Sequence, residues 1–253
     1  MSTDTIRCSI AMTTCNSERF LSDQIESILA AMEDSDELVI SDDASSDSTI
    51  EIIRKYMEQD SRIRLLQNDK NLGFNKNAER AYVNCRGSFI FHSDDDNVWD
   101  HNKIKTVLEA FSAHPEIGLV MHDAAIVNQD LKEIAPSFQA WRKSKPGLLH
   151  NIIRLGYGGS LLAFRRELLE YVLPFPDDMP FFADAWIGFM ADKHSKSLFI
   201  PDKLSVWRRH GSNASGDNGL SQTKPVQAKN QKGKRLIQAM NERRAIWRFL
   251  KKH

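Results

Sequence analysis

The chain has 253 residues, 34 Lys/Arg against 34 Asp/Glu, 41% hydrophobic and 27% charged residues. A formal net charge of zero offers no basic field for nucleic acid, so no nucleic-acid partner is expected, and the composition is that of a soluble globular protein. Three cysteines, Cys8, Cys15 and Cys85, are too few and too scattered for a disulfide framework or a zinc site, and no apolar run approaches the roughly 18 residues of a membrane span.

The N-terminus lacks a basic region followed by an apolar core, which leads to the expectation of a cytoplasmic protein. "RCSIAMTT", Arg7 to Thr14, reads as a buried strand. Asn16 or Ser17 is placed to cap the helix that follows, where Phe20, Leu21, Ile25, Ile28 and Leu29 recur at helical spacing. Glu37 to Asp43 is a second strand, and a helix with Ile50, Ile53 and Met57 on one face comes next. Arg62 to Asn68 is a third strand, followed by a turn and a helix, and "SFIFHSDD" is a fourth strand. Strands alternating with helices of this length predict βαβ units, an α/β class and a sheet with a parallel core. Ligands of such sheets bind beyond the carboxyl ends of the strands. Polar clusters sit at three of those ends: Thr13-Thr14, Asp42-Asp43 and Asp94-Asp95-Asp96.

Further along, a helix is expected near residues 102–113 and a strand over Ile117 to Asp123. Asn128 to Pro146 reads as a loop. "LLHNIIRLG" is a helix, and "GGSLLAFRRELLEYVLPF" a turn, strand and helix. "DAWIGFMADKH" is a compact helix, and "SLFIPDKLSVWRRHGSN" reads as strand, turn, strand and loop. One sheet is expected to run across a soft division near residue 125. This gives a main domain over 1–222, with halves of about 1–125 and about 126–222. A basic amphipathic helix over 223–253 follows. From Lys224 onward ten Lys/Arg face one acid, Glu242. That helix either packs an apolar face (Leu236, Ile237, Met240, Ile246, Trp247, Leu250) on the body or a second subunit, or lies on anionic lipid as a peripheral membrane contact.

The clusters carry chemistry. Oxygen ligands such as Asp94 and Asp96 suit Mg²⁺ or Mn²⁺, and Mg²⁺ uses one or two carboxylates plus substrate phosphate oxygens. Alternation turns Asp95 away from its neighbours. The plain alternative is a solvated loop whose aspartates cap the next helix. Asp42 and Asp43 can accept from a nucleobase N–H or a ribose hydroxyl, although no GxGxxG accompanies them, and Asp47 can cap the next helix. His210 lies in a glycine- and serine-rich loop after a strand; with two carboxylates it would favour Mn²⁺. Arg208 or Arg209 can pair with phosphate, but alternation allows only one of them on the site side. Lys70 and Asn71 are placed to meet a ligand or merely to form a turn. Asp184 opens a helix, where an aspartate is common.

In their joint order these stretches resemble glycosyltransferase family 2, enzymes of the GT-A fold, over about Arg7 to Gly216. The likeness is greatest to rhamnosyltransferase-like members of bacterial surface-polysaccharide pathways. The resemblance implies a single Rossmann-like mixed sheet flanked by helices. It also implies a metal-dependent, inverting transfer from a nucleotide-diphosphate sugar to a hydroxyl of a glycan or lipid-linked acceptor. Thr13, Thr14, Asn16 and Glu18 then correspond to the first nucleotide-binding loop, and Asp42 and Asp43 to the base and ribose contacts. Lys70, Asn71, Asp95 and Arg208 join this nucleotide set, and Asp94 serves both ribose and metal. Asp94, Asp96 and His210 hold Mn²⁺ or Mg²⁺, Asp184 is the catalytic base, and Gly158, Gly159, Ser160 and Trp186 receive the acceptor.

The chain departs from the family pattern at Cys15 (a common aromatic), Ala44 (a common glycine) and Ala183 (an acid or histidine). It also has Asp95 and Asn97 within the S-D-Q-D-D-x-W pattern of similar members. A non-catalytic sugar-nucleotide-binding protein and a metal-dependent nucleotidyltransferase are the rival readings, and a homo-oligomer is allowed.

Overall fold

The computed structural model describes residues 6–211, 213, 243 and 245–252. Four strands, β1 (Cys8–Thr14), β2 (Glu37–Asp42), β3 (Ile63–Gln67) and β4 (Phe89–Ser93), pair in parallel in the order β3-β2-β1-β4. Helices α1 (Leu21–Ala31), α2 (Thr49–Gln59) and α3 (Phe74–Val83) connect them. Every residue of β1 and β2 is buried, as strands covered on both faces must be. Their alternation feeds two separate cores. Ile10, Met12, Leu38 and Ile40 meet Leu21, Ile25 and Ile28 of α1. Ala11 and Val39 meet Ala78 and Tyr82 of α3 on the other side.

Beyond β4 the sheet becomes mixed. β5 (Val98–Trp99), β6 (Ile117–Asn128), β7 (Glu133–Ala135), β8 (Leu162–Arg165) and β9 (Lys196–Arg209) extend it to the order β3-β2-β1-β4-β8-β6-β9-β5, with β7 on β6. β8 is antiparallel to β4 and β6, and β9 is parallel to β6. β6 crosses residue 125 without a break, so one sheet does serve both halves. The other helices are α4 (Lys103–Ala113), α5 (Phe138–Arg142), α6 (Leu148–Ile153), α7 (Leu169–Val172) and α8 (Ala183–His194).

Three local expectations are corrected. Neither Asn16 nor Ser17 caps α1 with its side chain; the cap position is Phe20. Asn16 adopts a φ of 53° and its Oδ1 accepts from the Ser46 N–H at 2.9 Å. The backbone carbonyl of Ser17 instead accepts from Phe20 and Leu21, both at 3.2 Å. The segment 128–146 is not all loop: it contains β7 and α5, of three and five residues, too short for periodicity to reveal. The strand, turn and strand expected over 197–209 are one strand, β9, whose register against β6 shifts between Met121 and Asp123 and again between Asp123 and Ala125. These irregularities absorb Pro201 and Asp202, which are exposed.

Residues 243 and 245–252 are helical. Phe249 and Leu250 are buried, and the Phe249 ring lies 5.6 Å from Phe181 and 5.8 Å from Trp186 between centroids. These turns therefore pack on the body. The rest of the anticipated basic helix, residues 223–242, 244 and 253, lies outside the described residues.

Candidate active site

A cavity of about 780 Å³ opens beyond the carboxyl ends of β1, β2 and β4, where open α/β sheets hold their ligands. Thr13, Thr14, Asp43 and Asp94 to Asp96 line one side. Phe138, Arg142, Tyr157, Gly158, Gly159 and Asp184 line another, and Arg209, His210 and Asn213 complete it. Both halves of the chain thus contribute.

The aspartate turn is held from several directions. His210 Nε2 lies 2.9 Å from Asp96 Oδ2, and Asn213 Nδ2 donates to the same oxygen at 2.7 Å. Asp95 accepts from the Ser17 hydroxyl. Asp94 Oδ1 lies 3.4 Å from Nε2 of His92, a fully buried ring whose Nδ1 is 2.5 Å from the Tyr82 hydroxyl. Burial, then the neighbouring charge of Asp96, pushes the Asp95 carboxyl up to about 7. Burial raises Asp96 as well, with the His210 contact acting against it. Carboxylates held this closely suit a compensating cation. Among the described residues no three His, Cys, Asp or Glu side chains gather into a complete ligand set. Asp96 and His210 do meet, and such a partial set fits an ion that takes its other ligands from a diphosphate.

Asp184 lies in the first turn of α8, within the cavity wall. Burial pushes its carboxyl up, while the Ala185 N–H, donating to Oδ1 at 2.8 Å, works the other way. From Ala183 to Ala191 every residue of α8 except Asp184 is buried. The one open position of that stretch therefore faces the cavity.

Of the residues singled out in the sequence, the cavity gathers Thr13, Thr14, Asn16, Asp43, Asn71, Asp94, Asp95, Asp96, Gly158, Gly159, Asp184 and His210. Six others do not line it. Asp42 sits below the loop, accepting from the Thr14 hydroxyl and the Ser45 N–H, each at 3.0 Å. Glu18 accepts from the Ser48 N–H at 3.1 Å and so caps α2. Lys70 is exposed on the turn before α3. Ser160 is buried, and its carbonyl accepts from the buried Lys103 ammonium at 2.9 Å. Trp186 is buried, with Nε1 donating to the Val172 carbonyl at 2.8 Å. Arg208 is buried and turned away: it pairs with Asp23 at 3.0 Å and covers the Phe20 ring at 4.4 Å. Arg209, over the Trp207 ring at 4.6 Å, lines the cavity in its place.

Asp43 is less available than its position suggests, because it already accepts from Asn68 Nδ2, Leu72 N and Gly73 N at 2.7–2.9 Å. The glycines serve the protein itself. A Cβ on Gly158 would come within 2.7 Å of the Phe138 ring, and one on Gly159 within 3.2 Å of His92. His92, Arg142 and Tyr157 escaped the sequence reading. His92 alone left a trace, as a polar residue in the apolar run "FIFH".

Comparison with known proteins agrees with this architecture. An uncharacterised glycosyltransferase of Nostoc sp. is 29% identical over 90% of this chain and 72% of its own length. The Escherichia coli UDP-Glc:α-D-GlcNAc-diphosphoundecaprenol β-1,3-glucosyltransferase WfgD is 27% identical over 75% of this chain and 72% of its own. In structure, Staphylococcus aureus TarS 1–349 in complex with UDP superposes with a TM-score of 0.66 at 20% identity, covering 81% of this chain and 61% of that one. The mannosyltransferase PcManGT of Pyrobaculum calidifontis, in complex with GDP-Man and Mn²⁺, gives 0.60 at 21% identity over 79% and 56%. The chain thus spans about three fifths of the solved structures, which share its GT-A fold. Glycosyl transferase family 2 matches residues 9–173, from the first strand through the aspartate turn to α7, and with well over half of its length so matched this chain belongs to that family.

Proposed function

We propose that the protein transfers a sugar from a nucleoside-diphosphate donor to a hydroxyl of a glycan or lipid-linked acceptor, with inversion, in bacterial surface-polysaccharide synthesis. The observation that carries this reading is the joint placement, in one cavity, of the Asp96–His210 pair and Asp184. TarS binds UDP and PcManGT binds GDP-Man with Mn²⁺, and WfgD acts on a diphosphoundecaprenol-linked sugar. These support the donor and acceptor classes. The sugar moved is a hexose or a deoxyhexose. In this reading residues 1–125 mainly take the nucleotide and 126–222 mainly the acceptor, at the cytoplasmic side. Among the described residues no helix is long and apolar enough to cross a membrane.

Asp96 and His210 would hold a divalent cation, Mn²⁺ or Mg²⁺, with Asp94 beside them; when bound, it supplies Lewis-acid stabilisation of the departing diphosphate. Arg209 adds positive charge on the same side. Asp184, its carboxyl raised by burial, takes the proton of the acceptor hydroxyl as that oxygen attacks the anomeric carbon. Phe138, Tyr157 and Phe182 exclude water around the sugar.

The family departures at Asn97 and Ala183 give no support to a non-catalytic role, because both residues have structural tasks. Asn97 Oδ1 accepts from the Arg208 N–H at 2.9 Å, and Ala183 is fully buried in the core, where an acid or histidine would be costly. The test is release of nucleoside diphosphate from a panel of sugar nucleotides with Mn²⁺ and lipid-linked acceptors. Asp184→Asn should lose turnover by about a hundredfold or more while still binding nucleotide. Turnover unchanged in Asp184→Asn and in Asp96→Ala would overturn the assignment.

A further inference from the structure

A surface outside the cavity is apolar and cationic at once. α6 presents Leu149 and Ile153, one turn apart, 69% and 52% exposed. Arg243 Nε donates to the Ile153 carbonyl at 2.8 Å, which brings the C-terminal helical segment against the end of α6. One turn further on, Trp247 is 44% exposed, with Lys251 Nζ 5.1 Å from its ring centroid. The inward positions of that segment, Phe249 and Leu250, are already taken by the core.

The charge around these side chains is mostly positive. Residues 142–154 contain Arg142, Lys143, Lys145 and Arg154 and no acid, and residues 243–253 contain five Lys/Arg and no acid. Asp178 meets Lys252 at 3.2 Å at the C-terminal end. Large apolar side chains ringed by cations match a surface that is apolar below and anionic above, as a lipid headgroup layer is. A second copy of the chain fits less well, since a two-fold contact would set like charges against like.

The position is also suggestive of function. Arg142 and Leu155, which flank the segment 143–154, both line the cavity, and so do Tyr157 and Gly158. We propose that α6 and residues 243 and 245–252 form a docking face for an anionic lipid surface, setting the acceptor side of the cavity against the headgroups. The docking face stands on its own geometry, while its placing of the acceptor side rests on the sugar-transfer reading; vesicle binding tests the one and nucleotide binding the other.

The experiment is co-sedimentation of the full chain with phosphatidylcholine vesicles, with and without about 30 mol% phosphatidylglycerol. Partition should rise about tenfold with the anionic lipid at about 0.1 M salt and fall towards the neutral level at about 0.5 M. Lys145→Glu/Arg248→Glu should remove most of the rise. Leu149→Ser/Ile153→Ser should weaken binding severalfold on anionic vesicles, and both double variants should bind nucleotide as the wild type does. Three outcomes would overturn the proposal: equal binding to both vesicle types, anionic binding untouched by both double variants, or a dimer dissolved by Leu149→Ser/Ile153→Ser in a protein that ignores vesicles.

Discussion

Asp95→Asn takes one charge from the aspartate turn and keeps an acceptor for the Ser17 hydroxyl. In the folded chain burial and then Asp96 hold the Asp95 carboxyl at about 7, against an ordinary 3.8. The folded value lies above the unfolded one, so between them the folded state binds more protons. Stability must therefore fall as pH rises from about 4 to about 7 and stay reduced above that. The gap between 3.8 and about 7, at about 1.36 kcal/mol per unit, sets a ceiling of about 4 kcal/mol. Asp95 keeps partial contact with the cavity and water there relaxes the repulsion, so about 1–2 kcal/mol is expected. For a domain of this size that is about 2–4 °C in Tm. Differential scanning calorimetry of ligand-free protein in a chelator is the assay. The variant should melt about 2–4 °C above the wild type at pH 8, and the gap should close to within about 1 °C near pH 3.5, below the unfolded value. Mn²⁺ with a nucleoside diphosphate should raise the wild type more than the variant, because the cation compensates the charge that the variant lacks. A gap equal at both pH values, or a variant less stable at pH 8, would refute the reasoning.

The two neighbouring arginines should separate by what each mutation harms. Arg208→Ala, which breaks the contacts to Asp23 and the Phe20 ring, should cost about 1–3 kcal/mol in denaturant unfolding. Arg209→Ala, on the cavity wall, should weaken nucleoside-diphosphate binding about tenfold by calorimetry, whereas Arg208→Ala should leave that binding much less affected; the reverse pattern would return Arg208 to the ligand side. Ala44 has a φ of 60°, where an L side chain costs about 1 kcal/mol. Part of that is offset by the larger unfolded entropy of glycine, so Ala44→Gly should stabilise by about 0.5 kcal/mol, and a lowered denaturation midpoint would count against this account.

What could be read from the chain, and what could not, follows from parity. In a βα-alternating region every parallel strand delivers its carboxyl end to the same rim, so Thr13, Asp43 and Asp94 could be placed there before any coordinates. Choosing within adjacent pairs is a finer problem. Asp42 ends β2 and Asp43 lies just beyond it, so alternation says nothing about the second residue; hydrogen bonds to Thr14 and Ser45 decide it. For Arg208 and Arg209 alternation allows only one on the site side and does not say which. β9 is one long strand with register shifts against β6, and each such shift can turn the following side chains to the other face. Trp186, buried off the cavity, posed a different difficulty. α8 is buried on nearly all sides, so its sequence has no polar stripe from which to tell a core face from a ligand face.

The encounter of His210 with Asp96, 114 residues apart, had no local signal, yet the means of bringing them together lies beside the triplet. Val98 and Trp99 pair with Val206 and Ser205 of β9, and Asn97 Oδ1 accepts from the Arg208 N–H. The three residues after the triplet thus stitch the aspartate turn to the strand that carries His210. This gives the departures at 95 and 97 a joint meaning. The pattern D-Q-D-D of similar members and the D-D-D-N of this chain both place three carboxylates over four residues. Moving one from position 97 to 95 leaves a neutral acceptor on the buried β9 contact, where a charge would be costly. It puts the charge instead where the Ser17 hydroxyl and the cavity can meet it. By this reasoning Asn97→Asp in the wild type should be more harmful than Asn97→Asp combined with Asp95→Gln, which restores the count of three.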